Sequence, residues 1–224
     1  ASAQAQTPAA PAAEQAESPR TITVTGSGQA ALTPDIAYVT IGVRTEGQDA
    51  AEAVAENSEK SQTVIQAIRE AGVAARDIRT TNFSIYPQQN FNNEGQPQEI
   101  TYVVENSVYV TVRDLDLIGS LLDEAVQAGA NSIHGIQFDV ADKAQALSGA
   151  RREAIDNARS VAEEVAEAAG VEIGEVRSID VYGGSTPVPY FAARTSVAEV
   201  AMDVPVSTGE MILTVDVQVV YAIR

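Results

Sequence analysis

NSIHGIQFDVADKAQALSGARREAIDNARSVAEEVAEAAGVEIGEVRSIDVY, residues 131–182, decides the fold class. Ile136, Phe138 and Val140 alternate, the mark of a half-buried strand, and His134 falls in the same phase. Asp142, three residues ahead of Gln145, has the spacing of a capping box. The helix it opens is expected to run to about Ala169, roughly 39 Å at 1.5 Å per residue. Its inward stripe reads Leu147, Ala150, Ala154, Ala158, Val161, Val165 and Ala168. Alanines let another backbone come close, so this helix should lie tightly on a sheet or on a neighbouring chain. Glu175 to Tyr182 then returns to strand.

Downstream, residues 183–209 exceed any hairpin turn, and segments of that length usually carry a function or are disordered. Tyr190 and Phe191 form an aromatic pair in a Pro-rich setting that is costly to leave in water. With Val188, Val197 and Met202 they are candidate contacts to a partner or to the chain's own core, as are Ala150, Ala154 and Ala158 on the helix. Met211 to Tyr221 closes the chain as a strand.

Upstream, Thr21–Thr25 alternates and Gly26-Ser27-Gly28 reads as a turn that ends it. A second strand, Asp35–Thr45, puts Ala37, Val39, Ile41 and Val43 on one side. Asp49 caps a helix with Val54, Ile65, Ile68 and Ala71 in phase, interrupted by Asn57 and Ser61, and Gly72 stops it. Asn57 and Ser61 are expected to bond locally. Strands 78–86 and 102–112 follow, separated by the polar stretch PQQNFNNEGQPQEI, read as a loop. Asp114 caps a shorter helix carrying Leu117, Ile118, Leu121, Leu122, Ala125 and Val126, closed by Gly129.

The two helix ends align without a gap: AGVAARDIRT, residues 71–80, against AGVEIGEVRS, residues 169–178. A strand and a long helix precede each, and two strands follow. The chain is therefore expected to hold two β-α-β-β units, 35–112 and 133–221, joined by the helix at 114–129. That gives an α+β fold in which a mainly antiparallel sheet is covered by helices. Residues 1–20, rich in Ala, Pro and Gln, cannot bury enough apolar surface to order themselves and read as a tether.

Composition narrows the function classes. The 224 residues carry 14 Lys+Arg against 31 Asp+Glu, a net charge of −17, which argues against nucleic acid and anionic membrane surfaces as partners. There is no Cys, so disulfides, thiolate metal sites and cysteine nucleophiles are excluded. No apolar run approaches the ~20 residues of a membrane span. The small-x-small pattern near the start is of the kind found where a signal peptide has been cleaved, and points to an exported protein.

Nothing resembles a catalytic apparatus. His134 is the sole histidine, and it is better read as a structural residue than as a ligand or base. Glu52/Glu56/Glu59 and Glu163/Glu164/Glu167 have the spacing of solvated helix faces, without the loop of a calcium site. Gly26-Ser-Gly28 lacks the third Gly of a dinucleotide fingerprint. No cofactor and no metal are expected.

TVTGSGQAALTPDIAYVTIGV, DIRTTNFSIYPQ, DLDLIGSLLDEAVQAGANSIHGIQFDVAD and ARREAIDNARSVAEEVAEAAGVEIGEV together resemble the SIMPL-domain family of bacterial envelope proteins, over residues 21–224. The resemblance implies a periplasmic or envelope protein, including outer-membrane association, with no established catalytic residues and a link to oxidative-stress defence. It also implies a partner in the form of other copies of the chain, in ring-like or channel-like homo-oligomers. Two other readings stand beside it: a small-ligand or catalytic domain with a cleft between the repeats, and an adaptor for another envelope protein.

Overall fold

The computed structural model describes residues 20–184, 187–190 and 208–224. Its elements run β1 (Thr21–Leu32), β2 (Ile36–Gly47), α1 (Ala50–Glu70), β3 (Ile78–Phe91), β4 (Pro97–Val112), α2 (Ile118–Gln127), β5 (Ser132–Asp139), α3 (Ala144–Ala169), β6 (Ile173–Gly183), β7 (Val188–Tyr190) and β8 (Glu210–Ile223). The fold is α+β with two mostly antiparallel sheets, as the element pattern predicts. The chain separates into two compact units, one of Gln29–Ala150 and Gly184–Thr214, the other of Ala1–Gly28, Arg151–Gly183 and Val215–Arg224.

In the first unit the strands lie in the order β3-β4-β2-β5. The strong Val/Ile alternation of β2 and β4 fixes their register, with Val39 opposite Val110 and Ile41 opposite Val108. One face is thereby mainly apolar, and α1 and α2 close over it, burying Val64, Ile68, Ile118, Leu121 and Ala125. The face of α1 that meets the sheet differs from the expected stripe. Its buried residues are Ala53, Asn57, Ser61, Val64 and Ile68, whereas Val54 and Ile65 are only partly covered.

Asn57 is fully buried and does not bond only locally. Its Nδ2 donates to the carbonyls of Val43, on β2, at 2.9 Å and Val104, on β4, at 3.1 Å, and its Oδ1 accepts from Ser61 Oγ at 3.3 Å. Thr45, also buried, donates its hydroxyl to the Ala53 carbonyl of α1 at 3.0 Å. The interruption in the apolar stripe is thus a polar clamp between helix and sheet.

The other sheet has the order β1-β8-β6, with β7 adding to β8. Gly26-Ser27-Gly28 is not a turn: β1 continues through it to Leu32. The reason is α3. A Cβ placed on Gly26 would lie 2.7 Å from the Ala158 Cβ and closer still to the Ala154 carbonyl oxygen and the Ala158 nitrogen. The Ser27 amide donates to Asn157 Oδ1 on the same helix at 3.2 Å. The strand uses glycine where the helix backbone comes down upon it.

The buried line on α3 is Ala150, Ala154, Ala158, Ala162 and Ala166, a pure i, i+4 ridge of the type that packs into a groove. Val165 and Ala168, placed on the inward stripe from the sequence, are exposed.

The compact units do not coincide with the halves read from sequence. β5, the strand ahead of α3, bonds to β2 in the first sheet, while β1 takes the place beside β8 in the second. Ile78 and Val176, matched in the repeat, stand opposite Val110 on β4 and Tyr221 on β8.

Candidate functional site

The residues 87–100, expected as a loop, are mostly strand. β2 accompanies β4 only as far as Gly47 opposite Tyr102, so beyond that point β3 and β4 continue as a two-stranded ribbon. Asn and Gln have low strand propensity, but here their side chains bond within the ribbon. Asn90 Nδ2 donates to Thr101 Oγ1 at 3.1 Å, Gln89 Nε2 to the Gln98 carbonyl at 2.5 Å, and the Asn92 carboxamide oxygen caps the turn by accepting from the Glu94 and Gln96 amides. Gln48 ties the base of the ribbon to Glu99 at 2.8 Å.

Residues directly opposite one another in an antiparallel pair share a face. Phe83 lies opposite Asn106, Ile85 opposite Val104, Pro87 opposite Tyr102 and Gln89 opposite Ile100. These residues belong to the face that α1 covers over β2 and β4, but on β3 the cover fails: Phe83 is 54% exposed, Ile85 43% and Ile100 47%. Phe91, near the tip, is 63% exposed.

The opposite face of β3 and β4 is polar around the buried Val103. Arg44 contacts Glu46 at 2.8 Å, Glu105 at 3.7 Å and Gln88 at 3.4 Å, and Tyr86 donates its hydroxyl to Glu105 at 3.1 Å. That carboxylate holds the Tyr86 phenol above its usual range. The ribbon is therefore amphipathic, with its apolar face in water. A long edge strand of this kind is normally blunted or covered.

The second unit repeats the feature on the equivalent strand. β6 pairs only with β8, and Val176, Ile179 and Val181, opposite the buried Tyr221, Val219 and Val217, are about half exposed. β6 is protected in part by two irregularities between Ile173 and Ser178 and by Glu175, Arg177 and Asp180.

The residues singled out from sequence fall elsewhere. Ala150, Ala154 and Ala158 are fully buried, and the neighbour that Ala154 and Ala158 admit is β1 of the same chain. Val188 lies on β7 and is largely exposed. Tyr190 ends that strand, with its side chain outside the described residues, as are Phe191, Val197 and Met202.

His134 is not in phase with Ile136 and Phe138. Gly135 takes a positive φ of 53° and the register of β5 against β2 shifts there, so Ile136 faces Val39 while His134 faces Thr40 on the opposite, exposed side. Its Nε2 lies 2.9 Å from Ser132 Oγ, and among the described residues no carboxylate is bonded to the imidazole, so the pair lacks the third member of a nucleophile system. Asp139 accepts from the Val140 amide at 2.8 Å and from Lys143 Nζ. Asp142 Oδ1 accepts the Ala144 amide at 2.9 Å at the start of α3.

A cleft of about 210 Å³ in the first unit is lined by Gly72, Asp77, Thr111, Arg113, Leu117 and Leu121 among others. This is below the usual range for ligand sites, about 300–1,000 Å³. Its wall holds the bidentate pair of Arg113 with Asp77, Nε to Oδ2 at 3.0 Å and Nη2 to Oδ1 at 2.8 Å. The Arg113 hydrogen bonds hold the Asp77 carboxyl below its ordinary pKa, against a smaller opposing effect of burial. A lowered folded-state pKa gives stability that is complete above the ordinary carboxylate range, near pH 3.9, and is lost as the pH falls through the lower folded value. Arg113→Met is therefore expected to lower the urea midpoint at pH 7 and to flatten its decline below pH 4. An unchanged acid limb would show that the pair contributes nothing.

Comparison with known proteins places the chain. The model of the SIMPL family, described as "Protein of unknown function (DUF541)", matches residues 22–221. The 26 kDa periplasmic immunogenic protein of Brucella melitensis is 33% identical over 215 residues, covering 92% of this chain and 86% of that protein. Uncharacterized protein YggE of Escherichia coli is 33% identical over 202 residues, covering 90% and 80%. The interleukin-1 receptor-associated kinase 1-binding protein 1 homolog of Xenopus laevis is 29% identical over 163 residues, covering 70% and 61%. Among the described residues, no helix is long and apolar enough to cross a membrane.

Proposed function

The chain belongs to the SIMPL family, and from that premise we propose that it is an exported, periplasmic, non-enzymatic protein that works by assembling with copies of itself. The observation that carries the reading is the uncovered apolar face of β3 and the β3–β4 ribbon: Phe83 and Ile85 two residues apart on β3, Ile100 farther along on β4 opposite Gln89, and Phe91 near the tip. An isolated two-stranded ribbon is at best marginally stable in water, and an apolar face on one gains most by being covered. Export is supported by the name of the Brucella relative, a periplasmic immunogenic protein.

A contribution to oxidative-stress defence belongs to the same proposal, and it would have to be exerted through the assembly. The chain has no Cys and only two Met, so it has little capacity to consume oxidants itself.

The test is the mass in solution. Wild-type protein at micromolar concentration is expected at a multiple of 23.5 kDa. Phe83→Asp combined with Ile85→Asp should bring it to the single-chain mass while leaving the far-ultraviolet circular dichroism unchanged, because both side chains are already about half in water. A wild type that sediments as one chain defeats the reading. In cells, survival of a deletion strain under peroxide should be restored by the wild type and not by the double variant.

A further inference from the structure

Among the described residues, β3 and β5 end one sheet and β1 and β6 the other, with the three-residue β7 beside β8, and they differ in how well their free edges are guarded. β5 is short, with a register shift at Gly135, and carries His134 and Asp139. β6 has its irregularities and its charges. β1 has no charge after Arg20, but the exposed side chains along it are Thr21, Thr23, Thr25, Ser27, Gln29 and Ala31, which gain little by being covered.

β3 stands apart. From Thr80 to Asn93 it has no charged residue, in a chain whose net charge is −17. Between its two irregularities it keeps a regular register from Asn82 to Gln89, and it exposes Phe83, Ile85 and Tyr86.

We infer that the free edge of β3 pairs antiparallel with β3 of a second copy about a two-fold axis at Ser84, joining the two β3-β4-β2-β5 sheets into one. This rests on the self-assembly proposed above and names the strand that performs it. Two observations select the occupant and the register.

The first is charge. A second copy brings −17 to a surface that is itself acidic, so close approach of two copies is tolerable only where neither presents a charge. The Thr80–Asn93 edge meets that condition over its whole length.

The second is Pro87. It lies in register opposite Tyr102 and has no N–H. A proline within an edge strand directs its nitrogen away from the ladder. Backbone groups alternate in direction along a strand, so Ile85 and Phe83 also point their N–H and C=O outward. Pro87 stops further pairing at one end, and the irregularity between Thr80 and Asn82 stops it at the other. The centre of what remains is Ser84.

In that arrangement Phe83 of one copy exchanges two backbone hydrogen bonds with Ile85 of the second copy, and the reverse, with their side chains meeting on the α1 side. Ser84 then faces its own counterpart at a non-hydrogen-bonded position, where Cα atoms come to about 4.5 Å. This is inside the span that a disulfide bridges, about 4.4–6.8 Å.

The absence of Cys makes the test clean. Single variants Asn82→Cys, Ser84→Cys, Tyr86→Cys and, as a control on β6, Asp180→Cys are treated with diamide in the full chain, and the fraction of disulfide-linked dimer is read on a non-reducing gel. Crosslinking is expected to peak at Ser84→Cys, several-fold above both neighbours, with the control at background. A peak at Asn82→Cys or Tyr86→Cys overturns the assigned axis. No crosslinking at any of the three, in protein whose mass is still a multiple of one chain, overturns the β3 pairing and leaves self-assembly standing. A single-chain mass for the untreated wild type instead removes the assembly reading itself.

Discussion

Asn57→Leu is expected to be among the most destabilising single changes in this protein, at about 3–5 kcal/mol, the range in which a buried hydrogen-bond network is broken. The side chain is fully buried on α1 and its two amide hydrogens are divided between the Val43 and Val104 carbonyls of different strands. Leucine fits the apolar surroundings by size. It removes both donors, however, and strands two carbonyl oxygens and the Ser61 hydroxyl where water does not reach; each such group costs about 1–3 kcal/mol. The loss should appear as a lower urea midpoint with unchanged slope.

Asn57→Asp gives a control with a sign. The carboxylate cannot donate to either carbonyl, so only its protonated form is tolerated and its folded pKa must be raised. A raised folded pKa means that the penalty is least below the ordinary aspartate value near pH 3.9 and grows until the pH has passed the folded pKa. Relative to wild type, Asn57→Asp is therefore expected to be least destabilised in acid, with the deficit widening toward neutrality. A deficit that does not change with pH would show that the site is wet and that the clamp contributes little.

Which features could be read from sequence follows from how each residue signals its environment. β2, β4 and β8 alternate Val, Ile and Leu against polar residues, and the buried face follows from that alternation: Ala37 to Val43, Val108 to Val112 and Met211 to Tyr221 are where it puts them. The same logic fails where a position is chosen for something other than apolar burial. Asn57 and Ser61 count as breaks in a hydrophobic stripe, although they are its most deeply buried polar members. Gly135 shifts the register by one residue, which moves His134 to the other face, and a period-two pattern has no means of showing that. The ribbon at 87–100 is written in Gln, Asn and Pro, whose strand pairing depends on side-chain bonds to particular partners.

The surface proposed for assembly carries a sequence signal of a different kind. Attention to an aromatic pair selects Tyr190 and Phe191, because they stand in a Pro-rich setting. The uncharged run from Thr80 to Asn93 carries three aromatics and an isoleucine, and in so acidic a chain its lack of charge is the stronger signal. What the sequence could not supply is that β3 lies at the end of its sheet, where Phe83 and Ile85 are left about half exposed. Edge position is a property of topology, and it depends on β5 joining β2 on the far side.

Gly26→Ala tests the other tight joint. One added methyl on an exposed strand glycine would ordinarily stabilise slightly, because alanine has fewer unfolded conformations to lose. At Gly26 the added carbon meets the Ala154 carbonyl oxygen, the Ala158 nitrogen and, at 2.7 Å, the Ala158 Cβ. Two of those three are main-chain atoms of α3, so no rotamer change relieves the overlap and strand and helix must move apart. Overpacking costs about 1–3 kcal/mol where side chains can adjust, and a backbone obstacle places this change at or above the upper end.

The i, i+4 alanine ridge makes the same demand from the helix side: Ala158→Leu should be comparably harmful, and Gly26→Ala with Ala158→Gly should recover part of the loss, since glycine at 158 removes the Cβ that the new methyl meets. Recovery will be incomplete, because the Ala154 oxygen remains and glycine within a helix costs about 1 kcal/mol. If Gly26→Ala leaves the unfolding midpoint unchanged, α3 does not sit on β1 as closely as described, and the alanine ridge becomes available to another chain.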